Sequence, residues 1–196
     1  MGRLGDEFLS NLLGASGSKA LLMGNEAIAR GAIEGGAHLV SGYPGTPSSE
    51  VIMSLARISS KLGMRVEWFA NEKVAFEVAF AAASAGLRSL VTMKAPGLNV
   101  ASDAVFSAAY AGVNGGLVVL VADDPGPHTT QTEQDTRFYS LAMNLPMMEP
   151  SSPQEAKDAV VWGFDLSERL KLPILLRTTT RVNHSTADVV LGDIME

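Results

Sequence analysis

Short apolar runs alternate with helix-like stretches along most of this chain, and this alternation constrains the fold more than any other feature. The run LVVLV at residues 117–121 contains no polar side chain, which is typical of a strand buried on both faces of a parallel sheet. Similar runs recur with stretches of helical periodicity between them. The pattern predicts a doubly wound α/β domain with a mostly parallel sheet of about six strands and helices on both faces.

The predicted strands and helices follow one another from residue 25 to residue 177. We expect strands at 37–42, 65–69, 89–93, 116–122, 145–149 and 173–177, and helices at 25–35, 48–62, 71–85, 101–112, 132–143 and 153–170. Ser48 and Asn71 are predicted N-caps, Gly86 suits a left-handed position after a helix, and Ser152-Pro153 opens the last helix. We expect residues 1–18 to form an N-terminal arm and residues 19–196 to form one domain.

Composition excludes several classes of protein. Hydrophobic residues make up 46% of the chain and charged residues 18%, which argues against disorder. A net charge of −6 argues against nucleic acid or an anionic membrane as the main partner. The chain has no cysteine, so it cannot ligate iron–sulfur clusters through thiolates. No apolar stretch is long enough to span a bilayer, and we expect a soluble, cytoplasmic protein.

The segments after the predicted strands are the candidate site, because ligands of such sheets bind beyond the carboxyl ends of the strands. The segment YPGTPSS at 43–49 places two prolines around a glycine, which makes a rigid turn. Its N–H groups and the hydroxyls of Thr46 and Ser48 can hold an anion or a polar ring, although a purely structural turn explains it equally well. No Gly-Lys-Ser/Thr follows, which argues against a flavodoxin-like nucleotide binder.

Glu72 is the candidate with the most specific chemistry. The N-cap at Asn71 places it in the first helical turn, where the helix dipole favours a carboxylate, and that role alone would explain it. However, Glu72 also lies at the carboxyl edge of the sheet. The helix behind it, VAFEVAFAAA at 74–83, is apolar nearly all round, which predicts a buried helix. A carboxylate at its start is then partly desolvated and requires a specific partner.

Two further segments follow predicted strands. Gly97 permits close approach of the backbone, and Lys94 and Asn99 can reach a polar ligand, although a simple turn with a surface lysine explains the segment as well. The adjacent Asp123 and Asp124 raise the alternative of a metal site. The nearby prolines and the missing third ligand argue against it, and we expect no metal ligand in this chain. The polar stretch 123–137 is more typical of an active-site loop.

These segments, in this order, resemble the α subunit of indolepyruvate ferredoxin oxidoreductase, in the family of 2-oxoacid:ferredoxin oxidoreductases. The resemblance covers residues 21–188, nearly the whole chain. The matching motifs are GNEAIARG (24–31), YPGTPSS (43–49), NEKV (71–74), TMK (92–94), GLNVASD (97–103), DDPG (123–126), EQD (133–135) and RTTTRV (177–182).

The resemblance implies a thiamine diphosphate-binding fold of the pyrimidine-domain type. It further implies an enzyme that oxidatively decarboxylates aryl pyruvates to acyl-CoA, with coenzyme A and ferredoxin as acceptors. By position, Glu72 matches the catalytic glutamate that hydrogen-bonds N1′ of the aminopyrimidine ring. Pro44 and Gly45 would line the pyrimidine pocket, and Thr46 would lie near the substrate. The resemblance leaves five polar residues facing the substrate or a partner domain: Lys94, Asn99, Gln131, Gln134 and Arg137.

This chain also departs from the family pattern. Ala95-Pro96 stands where His-Val is expected, and Asp123-Asp124 stands where relatives that act on pyruvate have an arginine for the substrate carboxylate. The family's α subunit continues into a diphosphate-binding domain and a cysteine-rich domain, neither of which is present in this sequence. We therefore expect a fragment or a separately encoded subunit in an oligomer, whose partner supplies magnesium, the diphosphate site and the iron–sulfur clusters.

Two alternatives remain from the sequence. One is a subunit of a two-chain 2-oxoacid decarboxylase that needs no ferredoxin, and the other is a non-catalytic scaffold or regulatory paralogue that keeps the fold.

Overall fold

A central parallel sheet organises residues 10–195, the part of the chain that the computed structural model describes. Within this range the strands in chain order are β1 (Lys19–Met23), β2 (Leu39–Gly42), β3 (Arg65–Trp68), β4 (Ser89–Lys94), β5 (Leu117–Asp123), β6 (Met147–Met148), β7 (Ile174–Thr179) and β8 (Thr186–Val190). Six of them form the main sheet in the order β3-β2-β4-β5-β7-β6, and all neighbours in it are parallel. The predicted fold class is confirmed.

Helices cover both faces of the sheet. In chain order, the helices within the described residues are α1 (Gly24–Glu34), α2 (Ser49–Ala56), α3 (Ser59–Leu62), α4 (Glu72–Ser84), α5 (Ala95–Ala111), α6 (Arg137–Met143), α7 (Pro153–Leu170) and α8 (Thr180–His184). One apolar core joins α1, α2 and α7 to the sheet, and a second joins α4, α5 and α6. Strand β5 supplies both cores, because its side chains alternate between the faces: Val118 and Leu120 face one layer, Val119 and Val121 the other.

Each of the six predicted strands overlaps a strand of the main sheet, but several features of the described residues differ from the predictions. The antiparallel ribbon of β1 and β8 was not predicted, and neither was α8. The predicted helix at 48–62 is divided into α2 and α3, and the predicted helix at 132–143 begins only at Arg137. Residues 124–136 before it form turns and bends instead. No helix within residues 10–195 is long and apolar enough to cross a membrane.

Helix α5 begins at Ala95, six residues before the predicted start. Pro96 and Gly97 indicated a turn, yet both lie in the first helical turn. There the missing N–H of proline costs nothing, because the first N–H groups of a helix have no partner within it. Gly97 is buried beneath the side chain of Glu72, so a larger residue at this position would have to displace that side chain.

Three predicted caps have different outcomes. Asn71 and Ser152 cap α4 and α7, since their side-chain oxygens accept the backbone N–H groups of Val74 and Glu155. Ser48 does not cap α2, which is a correction to the prediction. Its hydroxyl instead donates to the carbonyl of Gly45 at 3.1 Å, because Ser48 has helical rather than extended backbone angles.

The buried guanidinium of Arg30 holds both end segments of the described chain. It donates to the carbonyls of Leu12 and Gly14 at 2.8 and 3.1 Å and to that of Gly192 at 2.6 Å. Glu34 completes the cluster, because its carboxylate accepts from Arg30 at 2.7 Å and from Lys157 at 2.5 Å. Of the predicted arm, residues 1–9 lie outside the described residues, whereas Leu12 is fully buried in the core beneath α1, α2 and α7.

Candidate functional site

The carboxyl edge of the main sheet gathers the segments that the sequence marks as candidates. The edge is formed by the loops that leave β2, β3, β4, β5 and β7, because these neighbouring strands are parallel and end on the same side. Three groups of residues lie there. The first is Glu72 with Gly97, the second is the 43–49 loop with Lys94, and the third is the 123–137 loop with α8.

Glu72 is buried at the first position of α4, with 7% of its surface exposed. Its side chain lies directly against the backbone of α5. A Cβ atom built on Gly97 would come within 2.6 Å of both Cγ and Oε1 of Glu72. Among the described residues, the Glu72 carboxylate makes no hydrogen bond or ion pair. Leaving a buried carboxylate without a donor costs folding free energy, so this carboxylate is suited to a donor that the chain itself does not supply.

The prediction of a buried helix was wrong for one face of α4. The helix packs Ala75, Phe76 and Ala79 into the core, but its outer face exposes Val74 and Glu77. The reason is that α4 contacts the sheet and α5 on one side only. Glu72 is nevertheless buried, because its side chain at the start of α4 is covered by the first turn of α5.

Hydrogen bonds hold the 43–49 loop on both sides of Thr46. The N–H of Gly45 donates to the hydroxyl of Ser49 at 2.9 Å. The carbonyl of Pro47 accepts from the buried amides of Asn25 and Asn183 at 2.7 and 3.2 Å. Thr46 lies between these anchors with its side chain partly exposed at the sheet edge, and Pro44 is exposed. The arrangement fixes the backbone on either side of Thr46.

The side chain of Lys94, at the end of β4, lies against Gly45 in the loop after β2. A Cβ atom on Gly45 would be 3.1 Å from Cγ and 3.2 Å from Cδ of Lys94. Glycine at 45 therefore lets the lysine stem pack flat on the loop. The pairing brings together two residues that the sequence assigned to different groups, one to the cofactor pocket and one to the substrate side.

Asn99, Gln134 and Tyr139 form a hydrogen-bonded group beside the start of α5. The amide of Asn99 donates to Gln134 Oε1 at 3.1 Å, and the Tyr139 hydroxyl donates to Asn99 Oδ1 at 2.6 Å. Two of the predicted substrate or interface residues therefore meet here. Gln131 is exposed farther along the loop, and Arg137 pairs with Asp135 at 2.7 Å.

Asp123 and Asp124 face different partners, which argues against a shared metal ion. Asp123 is fully buried and accepts from Thr136 and from the guanidinium of Arg177 at 2.7 Å. Arg177 also donates to Glu149. Within residues 10–195, no group of three or more His, Asp and Glu side chains has the arrangement of a metal site.

Asp124 binds the loop that follows it to the start of α8. Its carboxylate accepts the backbone N–H groups of His128 and Thr129, each at 2.8 Å, and the hydroxyl of Thr180 at 2.6 Å. Burial acts to raise the pKa of Asp124, but the hydrogen bonds from Thr180 and the loop N–H groups outweigh it and hold that pKa well below its usual range. The carboxylate is therefore ionised and its oxygens are occupied.

A cleft of about 480 Å³ opens between this loop and α8. It is lined by Pro125, His128, Thr179, Thr180 and Arg181. Residues 178–184 follow the strand predicted at 173–177, which places them at this edge, but neither Arg181 nor His128 was among the predicted site residues. Nothing in the local sequence indicates that the Asp124 hydrogen bonds bring His128 and Arg181 to the same cleft.

The comparisons with known proteins agree with this fold. Residues 30–194 match the family described as pyruvate flavodoxin/ferredoxin oxidoreductase, thiamine diP-bdg. The indolepyruvate oxidoreductase subunits IorA of Pyrococcus horikoshii and Archaeoglobus fulgidus are 51% and 52% identical over 91% and 93% of this chain. The chain spans 28% and 30% of the length of these two relatives.

More distant relatives share the same region. The 2-oxoglutarate synthase subunit KorA of Methanocaldococcus jannaschii is 26% identical over 89% of this chain and is covered over 50% of its own length. A solved structure of the 2-oxoglutarate:ferredoxin oxidoreductase from Magnetococcus marinus, with 2-oxoglutarate, coenzyme A and succinyl-CoA bound, superimposes with a TM-score of 0.82. It covers 89% of this chain and 32% of its own, at 22% identity, and therefore supports the fold alone. The family match over residues 30–194 shows that this chain belongs to the thiamine diphosphate-binding family of pyruvate flavodoxin/ferredoxin oxidoreductases.

Proposed function

We propose that this chain forms the pyrimidine-binding half of a thiamine diphosphate site in a 2-oxoacid:ferredoxin oxidoreductase that acts on indolepyruvate or a related aryl pyruvate. The observation that carries the proposal is Glu72, a buried carboxylate to which no described residue donates a hydrogen bond, placed at the sheet edge in a chain of this family. The similarity to IorA subunits supports the aryl pyruvate substrate.

The residues present fit an aminopyrimidine ring. N1′ of such a ring is a donor when it carries a proton, and Glu72 is an acceptor that has no donor among residues 10–195. The missing side chain at Gly97 leaves space for the Glu72 carboxylate. On the other side of the edge, Pro44 is exposed, and Gly45 is buried beneath the Lys94 stem. Pro44, Gly45, Thr46 and Glu72 are therefore the proposed cofactor contacts.

The proposed chemistry of this chain is proton transfer and positioning. When bound, thiamine diphosphate supplies a carbon nucleophile for the 2-oxo carbon and accepts the electron pair left when carbon dioxide departs. Glu72 would hold and exchange the proton at N1′ from a site that largely excludes water. Thr46 would offer its hydroxyl to the substrate side, on a backbone that the Asn25 and Asn183 amides hold in place. Lys94, Asn99, Gln131, Gln134 and Arg137 would face the substrate or the partner.

The proposal requires a partner at the carboxyl edge. No group in this chain is assigned to magnesium or to the diphosphate, so a diphosphate-binding domain or subunit would supply both. Iron–sulfur clusters, ferredoxin and coenzyme A would engage the same larger complex, which we place in the cytoplasm. We expect the isolated chain to bind thiamine diphosphate weakly, and calorimetric titration that gives tight, magnesium-dependent binding would contradict this division of the site.

The test is turnover by the reconstituted complex. The chain is co-purified with its diphosphate-binding partner, and reduction of a viologen dye is measured with indolepyruvate or phenylpyruvate. Glu72→Gln should lower kcat by about 10² to 10⁴, the usual contribution of a positioned acid–base group. Glu77→Gln is the matched control, because Glu77 lies on the exposed face of the same helix. Equal rates for wild type and Glu72→Gln would remove Glu72 from the mechanism.

The partner itself separates the remaining alternatives. An oxidoreductase partner should bring iron–sulfur absorbance into the purified complex, whereas a decarboxylase partner should release carbon dioxide without reducing the dye. A complex that binds no thiamine diphosphate and turns over no 2-oxoacid would favour a scaffold or regulatory role.

A further inference from the structure

The cleft between the 125–128 loop and α8 has two walls that a single buried group holds together. Asp124 accepts backbone N–H groups from His128, Thr129 and Thr130 on one side and the Thr180 hydroxyl on the other. Neither wall can move far without breaking hydrogen bonds to a buried charge, which contribute about 1.5–3 kcal/mol each. The cleft is therefore a built feature of the fold.

Two basic side chains of its lining, those of Arg181 and His128, have no partner among residues 10–195. Arg30, Arg65, Arg88, Arg137 and Arg177 each form an ion pair with a carboxylate. Arg181 differs, because within residues 10–195 its guanidinium makes no hydrogen bond or ion pair although it lines a cleft. The His128 ring lies across the same cleft and is likewise without a partner among the described residues. In a chain with a net charge of −6, two such groups facing one cleft are a local exception.

The lining selects an anion over a cation. Asp124 is the nearest negative charge, but its two oxygens already accept from three backbone N–H groups and the Thr180 hydroxyl. A cation would therefore find no free carboxylate oxygen to bind. An anion would meet the guanidinium of Arg181, a ring N–H of His128 and the hydroxyl of Thr179.

We propose that this cleft binds an oxyanion of a reactant, with Arg181 as the main contact and His128 and Thr179 as further donors. The inference rests on the proposed function, which makes the carboxyl edge the place of turnover. Asn183, two residues after Arg181, holds the carbonyl of Pro47 beside Thr46, so α8, which supplies one wall of the cleft, adjoins the proposed cofactor loop. Two reactants carry suitable groups: the 2-oxoacid has a carboxylate, and coenzyme A has phosphates.

Binding to the chain is tested first, without turnover. The side-chain NMR signals of His128 and Arg181 are followed while phenylpyruvate or, separately, coenzyme A is added. We expect one of the two ligands to shift both signals, and Arg181→Gln to weaken its binding by about tenfold to a hundredfold, as loss of a charged hydrogen bond predicts. Arg169→Gln should have no effect, because this exposed arginine ends α7 at the opposite edge of the sheet. If neither ligand shifts either signal, or Arg181→Gln binds as well as wild type, the proposal is wrong.

Steady-state rates in the reconstituted complex then identify the occupant. Arg181→Gln should raise KM about tenfold or more for the occupant alone, with a smaller change in kcat, and Arg181→Lys should restore part of the loss. A rise for the 2-oxoacid assigns the carboxylate, and a rise for coenzyme A assigns a phosphate. Unchanged KM values for both would refute the site even if Glu72→Gln abolishes turnover. An inactive wild-type complex would instead count against the proposed function, while the NMR titration still decides the cleft.

Discussion

Glu72 and Gly97 share one small space at the carboxyl edge of the sheet: the Cγ and Oε1 atoms of the glutamate lie 2.6 Å from where a Cβ on residue 97 would be. Any side chain at 97 must therefore displace the carboxylate. Because Glu72 is the end of a flexible side chain, the displacement should cost little folding free energy. The position of its charge, however, should change.

Gly97→Ala should lower the activity of the complex without lowering the stability of the chain. Alanine is favoured over glycine within a helix by about 1 kcal/mol, so the thermal midpoint should stay the same or rise, while kcat of the reconstituted complex should fall at least about tenfold. Gly163→Ala is the contrasting control. Its Cβ would meet Val118 at 2.8 Å inside the core, so it should lower the thermal midpoint and leave the activity of the folded complex intact. Full activity in Gly97→Ala would show that the carboxylate position is not critical.

Asp124→Asn should loosen the loop that forms one wall of the cleft. The amide cannot accept as many N–H groups as the carboxylate, and the loss of charge-assisted hydrogen bonds should lower the free energy of unfolding by about 2–3 kcal/mol. Hydrogen exchange should also accelerate at the amides of His128 and Thr129. Urea unfolding and exchange measurements check both effects. Asp193→Asn, at an exposed aspartate, should change neither, and an equal loss in both variants would contradict a specific role for Asp124.

Acid should destabilise the chain through carboxylates whose pKa is lower in the folded state. The hydrogen bond from the Arg137 guanidinium lowers the pKa of Asp135 to about 2, and Asp124 is also lowered. Because a depressed pKa means that the unfolded chain binds protons first, this stability is present above the ordinary pKa of 3.8 and is lost as pH falls towards the folded value. Urea unfolding between pH 7 and 2 should give a plateau above about pH 4.5 and a decline below it. Stability that rises below pH 4 would disprove this origin.

Substitution within the buried cluster around Arg30 should lower the free energy of unfolding far more than substitution within a surface ion pair. Glu34→Gln would leave Arg30 and Lys157 short of a buried counter-charge, and breaking such a pair costs about 3–5 kcal/mol. The same substitution at Glu67, whose pair with Arg65 is exposed, should cost about 0–1 kcal/mol. Chemical denaturation of both variants measures the difference, and similar losses would show that burial does not set the strength of these pairs.

The main sheet could be predicted from sequence because its signals are local. The apolar run of β5 and the serine cap of Ser152 need no distant partner, and the predicted 153–170 helix has the bounds of α7. The ribbon could not be predicted in the same way. Lys19 pairs with Val190 at the far end of the chain, and neither strand has a long apolar run of its own.

In the candidate site, too, local sequence signals could be predicted and contacts between distant residues could not. The position of Glu72 could be predicted, since Asn71 marks the start of its helix and the preceding strand places that start at the sheet edge. Gly97 could be recognised as a point of close approach, but not the side chain that approaches it. The cleft could not be predicted from the sequence, because it is the hydrogen bonds of Asp124 that bring the segments of His128 and Arg181 together.

The guanidinium of Arg30 has a topological consequence. It donates to the carbonyls of residues 12, 14 and 192, so the two end segments of the described chain lie close together without a covalent bond between them. A circular permutant with a linker between residues 10 and 195 and new termini at the exposed turn around Gly63 should keep the fold. Because that turn precedes β3 at the amino edge, the permuted chain would keep the loops of the carboxyl edge intact.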